Sequence, residues 1–428
     1  ASARSMPRRS AVDPISALRH GGFLLYLIAG LISNSGSQMR IVAVQWEMTL
    51  RESDPRRLAL LLGYIGLALV LPVLLFALPA GAAADRFSRR WLIMIAQLGL
   101  AACGLGLAWA SWTGAPVVLI YVLLFGTGAF RALGWPASSA IVTGLVPPKH
   151  FSNAATWRSN AYQFASTVGP LAGGILLAWW SPVLVFLIDA ASSVILAVCM
   201  LFVRPRPQER AVEPKSWKSV LQGIRFLRNQ PIILSTMTLD MVAVLFGGVV
   251  ALLPIFATEV HDVGAVGLGW MRAMPALGSI VMGCILALRP PIQRGGRTIL
   301  VTVTTFGLAT IVFGLSTSFA LALAALFVLG AADNISVVIR QTVLQLLTPD
   351  SMRGRVTAVS VIFIGSSNEL GEFESGIAAS LLGLVPSVVF GGVMSIVAVG
   401  VVSVVWPELL QLGALDQLTP PEPLEVVV

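Results

Sequence analysis

Long apolar runs alternate with short polar breaks along the whole chain. A helix needs about 20 predominantly apolar residues to cross a bilayer. Read with that ruler, the sequence predicts twelve membrane helices, near residues 22–48, 58–80, 91–112, 115–138, 154–180, 182–203, 231–257, 265–288, 298–317, 319–341, 356–382 and 386–406. The breaks after the third, fifth, ninth and eleventh spans are nearly uncharged. The break at 204–230 is the longest. It holds Pro205, Pro207 and Pro214, then a mildly amphipathic stretch from Trp217 to Leu227 that reads as a helix lying on the membrane surface. The chain thus divides into an N-terminal segment (1–21), a first six-helix half (22–203), a linker (204–230), a second six-helix half (231–406) and an acidic, proline-bearing tail (407–428).

Composition fits an integral membrane protein. Of 428 residues, 56% are hydrophobic and 11% charged, where soluble domains carry about 25% charged residues. The net charge of +8 would suit a nucleic-acid binder, but its distribution does not. With the N-terminus placed in the cytoplasm, twenty of the 28 basic residues fall in cytoplasmic segments. Only Arg51, Arg56 and Arg57 fall in outer loops, and Arg40, Arg131, Arg158, Arg272 and Arg340 lie within spans. That bias predicts both termini on the cytoplasmic side. Residues 2–19 are polar and basic and lead straight into a full-length span, so no cleavable signal peptide is expected. Cys103, Cys199 and Cys284 are far apart in apolar runs, without metal or disulfide spacing.

The second half repeats the first. At an offset of 202 residues, Gly128 falls on Gly330, Pro147 on Pro349, Gly169 on Gly371 and Gly174 on Gly376. Spans 4–5 and 10–11 therefore read as copies of one unit, the internal repetition expected of many transporter folds.

Between spans 2 and 3 runs Gly81-Ala-Ala-Ala-Asp85-Arg86-Phe-Ser-Arg89-Arg90. This short charged turn resembles the signature loop of the major facilitator superfamily of secondary transporters, with Ser88 where that family usually has Gly. The resemblance implies the fold class: an all-α membrane protein of twelve helices in two pseudo-symmetric six-helix bundles. It also implies a cytoplasmic gate of Gly81, Asp85, Arg86, Arg89 and Arg90, in which Asp85 meets the start of span 11. A carboxylate is favoured at a helix N-terminus by the free N–H groups and partial positive charge there.

Span 5 carries Gly169-Pro170-Leu-Ala-Gly173-Gly174, which resembles the antiporter motif of the superfamily, with Ala165 where a Gly is usual. Close helix packing is the alternative reading. Its repeat partner in span 11 is Gly371-Glu372-Phe373-Glu374-Ser375-Gly376: the glycines stay and proline gives way to acid. Glu369, Glu372 and Glu374 lie in an otherwise apolar helix. Such groups are costly in a bilayer and must face partners or a cavity. Glu369 and Glu372 share a helix face, and Glu374 points elsewhere. Arg40 and Arg272 are expected at similar depth, giving two basic groups for three acids. The unpaired carboxylate is a candidate proton carrier; a fully paired structural cluster is the other reading. The run from Ser367 to Gly376 also resembles a segment of bacterial exporters in the branch of the enterobactin exporter.

Four further intramembrane charges complete the candidate set. Asp240 lies near the expected midplane of span 7, where substrates bind in such folds, and joins the three glutamates as a candidate for proton or ion coupling. Asp189 is in span 6. Arg131 and Asp333 fall one repeat apart and are expected to pair across the pseudo-symmetry axis. Trp46, Tyr162, Phe164, Trp270 and Phe373 are candidate cavity aromatics. There is no phosphate-cradling loop, so no nucleotide is expected to drive transport. No metal cluster or nucleophile constellation is read either; His20, His150 and His261 are isolated. The expected function is secondary active transport without a cofactor, drawing on the proton gradient. The expected substrate is an amphipathic small molecule, a drug or siderophore, exported by a monomer in the bacterial cytoplasmic (inner) membrane. The expected partners are substrate and lipid bilayer, not nucleic acid. An importer, a lysophospholipid flippase of the same fold and a non-transporting receptor stay open as alternatives.

Overall fold

The computed structural model describes residues 15–206, 217–290 and 292–414. Residues 1–14, 207–216 and 415–428, which include most of the N-terminal segment, much of the linker and most of the tail, lie outside the described residues. The first six long helices are α1 (Gly21–Arg51), α2 (Pro55–Arg86), α3 (Arg89–Thr113), α4 (Val117–Leu145), α5 (Phe151–Trp179) and α6 (Pro182–Phe202). A short helix, α7 (Trp217–Arg228), leads into α8 (Pro231–Phe246) and the single turn α9 (Leu253–Ile255). Then come α10 (Gly264–Leu288), α11 (Gly295–Leu315), α12 (Phe319–Leu347), α13 (Asp350–Leu382) and α14 (Leu384–Val405). No strand occurs among the described residues.

Among the described residues, nine helical stretches are long and apolar enough to cross a membrane. The long helices outside that set are α1, α5 and α13. α1 buries Arg40 and Glu47 against other helices and α13 holds the three glutamates partly buried, whereas Arg158 of α5 is exposed.

Span 7 departs from expectation. The sequence reads as one continuous helix over 231–257, but the helix stops at Phe246. It resumes as a 3-10 turn (Val249–Leu252), α9 and a π turn (Phe256–Val260). Gly247 and Gly248 supply the break, and Pro254 removes a donor just beyond it. A side chain on Gly248 would run into α13 at Gly371 and Ser375. Such a break leaves backbone carbonyls that something else must satisfy.

The apolar cores are distributed unevenly. At the face remote from the termini, one core takes residues from both sets of helices. Met48, Leu58, Leu107, Ile120 and Phe186 come from the first set, and Phe256, Leu268, Phe313, Ala322 and Val388 from the last. At the face bearing the termini there are two cores. One holds Phe23, Tyr26, Leu92, Ile141 and Met200, all from the first set. The other holds Leu227, Ile233, Ile299, Leu347 and Val402, all from the last. The two helix groups are joined at one face and separately packed at the other. The linker helix α7 belongs to the second group: Leu227 is buried in that core, and a Cβ on Gly223 would sit 3.0 Å from the carbonyl of Arg355 on α13.

Candidate functional site

Two seams join the groups, α5 against α10 and α2 against α13. Each is built from small residues that let backbones approach. On α5, a Cβ on Gly174 would lie 2.6 Å from the Ala265 carbonyl and 2.9 Å from the Gly269 Cα. On α13, a Cβ on Gly376 would lie 2.6 Å from both the Ala59 carbonyl and the Gly63 Cα. The same helices dock inside their own groups through the earlier glycines. Gly169 meets α1 at Gln38 and Ser35, at 2.6 and 2.8 Å, and Gly371 meets α8 at the Val244 carbonyl, at 2.6 Å. Gly173 faces Met39 on α1, and Pro170 is buried one turn earlier. The repeat in the sequence is a repeat of contacts.

The chemistry of the two seams differs. The α5–α10 seam places no charge among these glycines. The α2–α13 seam carries the glutamates. Glu369 pairs with Arg131 of α4, so the bond crosses between the groups. Glu372 lies 4.0 Å from Arg272 of α10. Arg272 Nη1 in turn donates to Gln45 Oε1 of α1 at 2.9 Å, again across the groups. It also donates to the Val250 carbonyl at 3.3 Å, one of the carbonyls freed by the break in span 7. Glu374 has no basic partner among the described residues; the Ser375 hydroxyl donates to it at 3.5 Å. Phe373 stacks on Tyr64 of α2, ring centroids 5.8 Å apart.

Two expected pairings are corrected. Arg131 meets Glu369, not Asp333: the shift of one repeat places the pair on equivalent helices, but it is the α13 carboxylate that the Arg131 guanidinium reaches. Arg40 does not serve the glutamates. It pairs with Asp189 of α6 at 2.6 Å, both side chains almost fully buried inside the first group. Gly36 allows that approach, since a Cβ there would lie 3.1 Å from the Asp189 Cα. Asp240 pairs with Arg340 of α12 inside the second group. Asp333 accepts no hydrogen bond and meets no basic group among the described residues.

The signature stretch at 81–90 is less of a loop than expected. α2 runs through Arg86 and α3 begins at Arg89, leaving Phe87 and Ser88 as the turn. Gly81 is buried and Arg86 exposed. Arg89 Nη1 donates to the Ala140 carbonyl of α4 at 3.1 Å, and Arg90 Nη2 to the Leu201 carbonyl of α6 at 2.8 Å. Arg90 thereby satisfies a carbonyl in the last turn of a helix, where partial negative charge favours a cation. The Asp85 side chain lies outside the described residues. Of the candidate aromatics, Trp46 packs on the shared core, while Tyr162, Phe164 and Trp270 are exposed.

Sequence reasoning missed Gln45, Glu47 and Arg51. Glu47 takes Arg51 at 2.7 Å and the Ser111 hydroxyl at 2.8 Å, closing the end of α1 onto α3. A Glu four residues before an Arg at a span end was signal enough to find it. Gln45 carried no such signal.

Known proteins resemble this chain along nearly its full length. The family described as transmembrane secretion effector matches residues 12–423. The enterobactin exporter EntS of Citrobacter koseri is 27% identical over 424 residues, 98% of this chain and 99% of the relative. The MFS-type transporter YfiS of Bacillus subtilis is 25% identical over 398 residues, 85% of this chain and 88% of the relative. Among solved structures, a bacterial homolog of the human lysosomal transporter Spinster superposes with a TM-score of 0.66 at 18% identity, covering 95% of this chain and 99% of that one. The xylose transporter XylE of E. coli does so at 0.68 and 14% identity, covering 89% and 94%.

Proposed function

Because the chain belongs to the transmembrane secretion effector family of major facilitator transporters, we propose that it is a proton-coupled exporter of an amphipathic small molecule, a drug or a siderophore. It works by alternating access, as a monomer in a bacterial inner membrane, with both termini in the cytoplasm and no cofactor beyond the proton gradient. The bias of basic residues supports that orientation. The export direction is supported by the family description and by relatives named as enterobactin exporters.

The observation that carries the reading is the uneven core. Two groups that share a core at one face and keep separate cores at the other are arranged to open toward the termini, here the cytoplasm. Substrate then enters from the cytoplasm. Export requires the shared face to part, which breaks the bonds from Glu369 to Arg131 and from Arg272 to Gln45. Neutralising Glu369 removes the charge that holds Arg131, and neutralising Glu372 removes the carboxylate that lies 4.0 Å from Arg272 and helps to place it against Gln45. Protonation is therefore linked to the switch, since a ligand shifts a two-state equilibrium by its differential affinity for the states. The stretch at 81–90 serves as the gate on the cytoplasmic side, with Arg89 and Arg90 fixing the ends of α4 and α6.

The test is proton flux in inside-out vesicles. An acidic interior is established, and candidate drugs and siderophores are added singly. The expected result is collapse of the gradient by a subset of compounds, lost in Glu372→Gln and Asp85→Asn. Binding of a compound without gradient collapse would replace proton coupling with facilitated diffusion or another ion.

A further inference from the structure

Inside the second helix group, away from the seams, lies a small, largely apolar cavity between α8, α11 and α12, with four polar side chains in its wall. It is lined by Asp240 of α8, Thr302 of α11, and Asp333 and Ser336 of α12, among apolar neighbours that include Phe306. Asp333, Ser336 and Arg340 fall at i, i+3 and i+7, on one face of α12. Arg340 is engaged by Asp240 and lies about 10 Å along the helix from Asp333 at 1.5 Å per residue. The charged groups facing the cavity from the packed helices are Asp240, Asp333 and, next to Asp240, Arg340. α11 contributes only the Thr302 hydroxyl, and α13 presents Phe363 and Ser367 to the adjoining space around Asp240 and Arg340. Among the described residues, two negative charges thus stand against one positive.

A second observation points to a guest. Ser336 is 3% exposed, lines the cavity, and its hydroxyl has no hydrogen-bond partner. A buried polar group without a partner costs free energy. The cavity has room for about one water-sized guest, far too little for an organic substrate. Hard oxygen donors (two carboxylates and two hydroxyls) with one uncompensated negative charge call for one small monovalent cation.

We propose that Asp333, Asp240, Ser336 and Thr302 form a monovalent-cation site within the second helix group, distinct from the glutamates of α13. The guest is a sodium ion or a proton on Asp333; both supply the one missing positive charge. A site between α8 and α12 would let ion occupancy control how the broken span 7 sits against its own group. This goes beyond the transport reading above and needs no substrate to be tested.

The experiment is thermal unfolding of the purified full-length protein in lipid nanodiscs. Sodium chloride is compared with N-methylglucamine chloride at equal ionic strength, from pH 5.5 to 8.5. The site predicts that the native protein gains about 2 °C or more in Tm with sodium at high pH, or with acid regardless of sodium, because a ligand bound to the native state stabilises it. The first outcome identifies sodium and the second a proton. Asp333→Asn should abolish that response while Glu374→Gln keeps it. If Asp333→Asn does not fold, Ser336→Ala should shift the sodium or pH midpoint at least threefold. Native-like responses in the folded variants, or a native protein indifferent to both cations, overturn the site. Failure here leaves proton-flux results untouched, so the two readings fall separately.

Discussion

The two seams are copies that have diverged in one respect. α5 crosses to α10 and α13 crosses to α2 through glycines one repeat apart, with nearly the same close approach. Around those glycines α5 has Pro170, Leu171 and Ala172, while α13 has Glu372, Phe373 and Glu374. The backbone geometry of the repeat survived and the side-chain chemistry did not. The glycine contacts of one seam are apolar packing, with the Arg272–Gln45 bond from α10 to α1 lying beside them. The other holds bonds from Glu369 to Arg131 and, through Arg272, from Glu372 to Gln45. An apolar seam responds to shape alone, whereas a charged one also responds to protons. The difference assigns bearing to α5–α10 and control to α2–α13.

The largest effect should come from what the seams share. Gly174→Val and Gly376→Val each force a branched side chain toward backbone atoms of the facing helix. Overpacking of this kind costs about 1–3 kcal/mol, and here it falls where two groups must meet and part. Both variants should lose transport by at least tenfold in vesicles, with a lower Tm. If only one seam is sensitive, the symmetry of the bearing surfaces is wrong.

The next effect should separate them. Arg131→Met leaves Glu369 without its partner, and breaking one side of a pair costs more than removing both. The single variant should lower Tm, and the double variant Arg131→Met/Glu369→Leu should recover most of it. Transport should stay at least tenfold down in both, because the double variant restores packing without restoring a group that binds protons. Recovery of proton-coupled transport in the double variant would show the pair to be structural.

Much of this was legible in the chain. The apolar runs foretell the long helices, nine of which among the described residues are apolar enough to span a membrane, and the offset of 202 residues foretells the equivalence of α5 and α13. Charge partners were harder. Depth along a helix can be counted, but azimuth depends on how neighbours rotate, so counting puts Arg40 level with the glutamates while it faces Asp189 inside its own group. Repeat symmetry relates Arg131 to Asp333, but symmetry relates positions without requiring them to touch. The break in span 7 was written in Gly247, Gly248 and Pro254. An apolar run hides it, because hydropathy counts residues and does not ask whether their backbones stay helical. Gln45 left no trace in charge patterning, since a neutral amide in a span becomes notable only when its partner is known.

The smallest effect belongs to Glu374, and it decides what makes a carboxylate matter here. By charge counting alone it is the natural proton carrier, the acid of α13 left without a base. By geometry it is peripheral: its contact is the neighbouring Ser375, and it forms no bond to the other helix group among the described residues. Coupling needs a group whose protonation changes the balance between two arrangements, and a side chain whose bond stays within its own helix has less to contribute to that difference. Glu374→Gln should therefore keep proton-coupled transport within about twofold of native, while Glu369→Gln loses it. Equal loss in the two would mean that the charge of α13 as a whole, and not the bonds across the seam, ties protons to the switch.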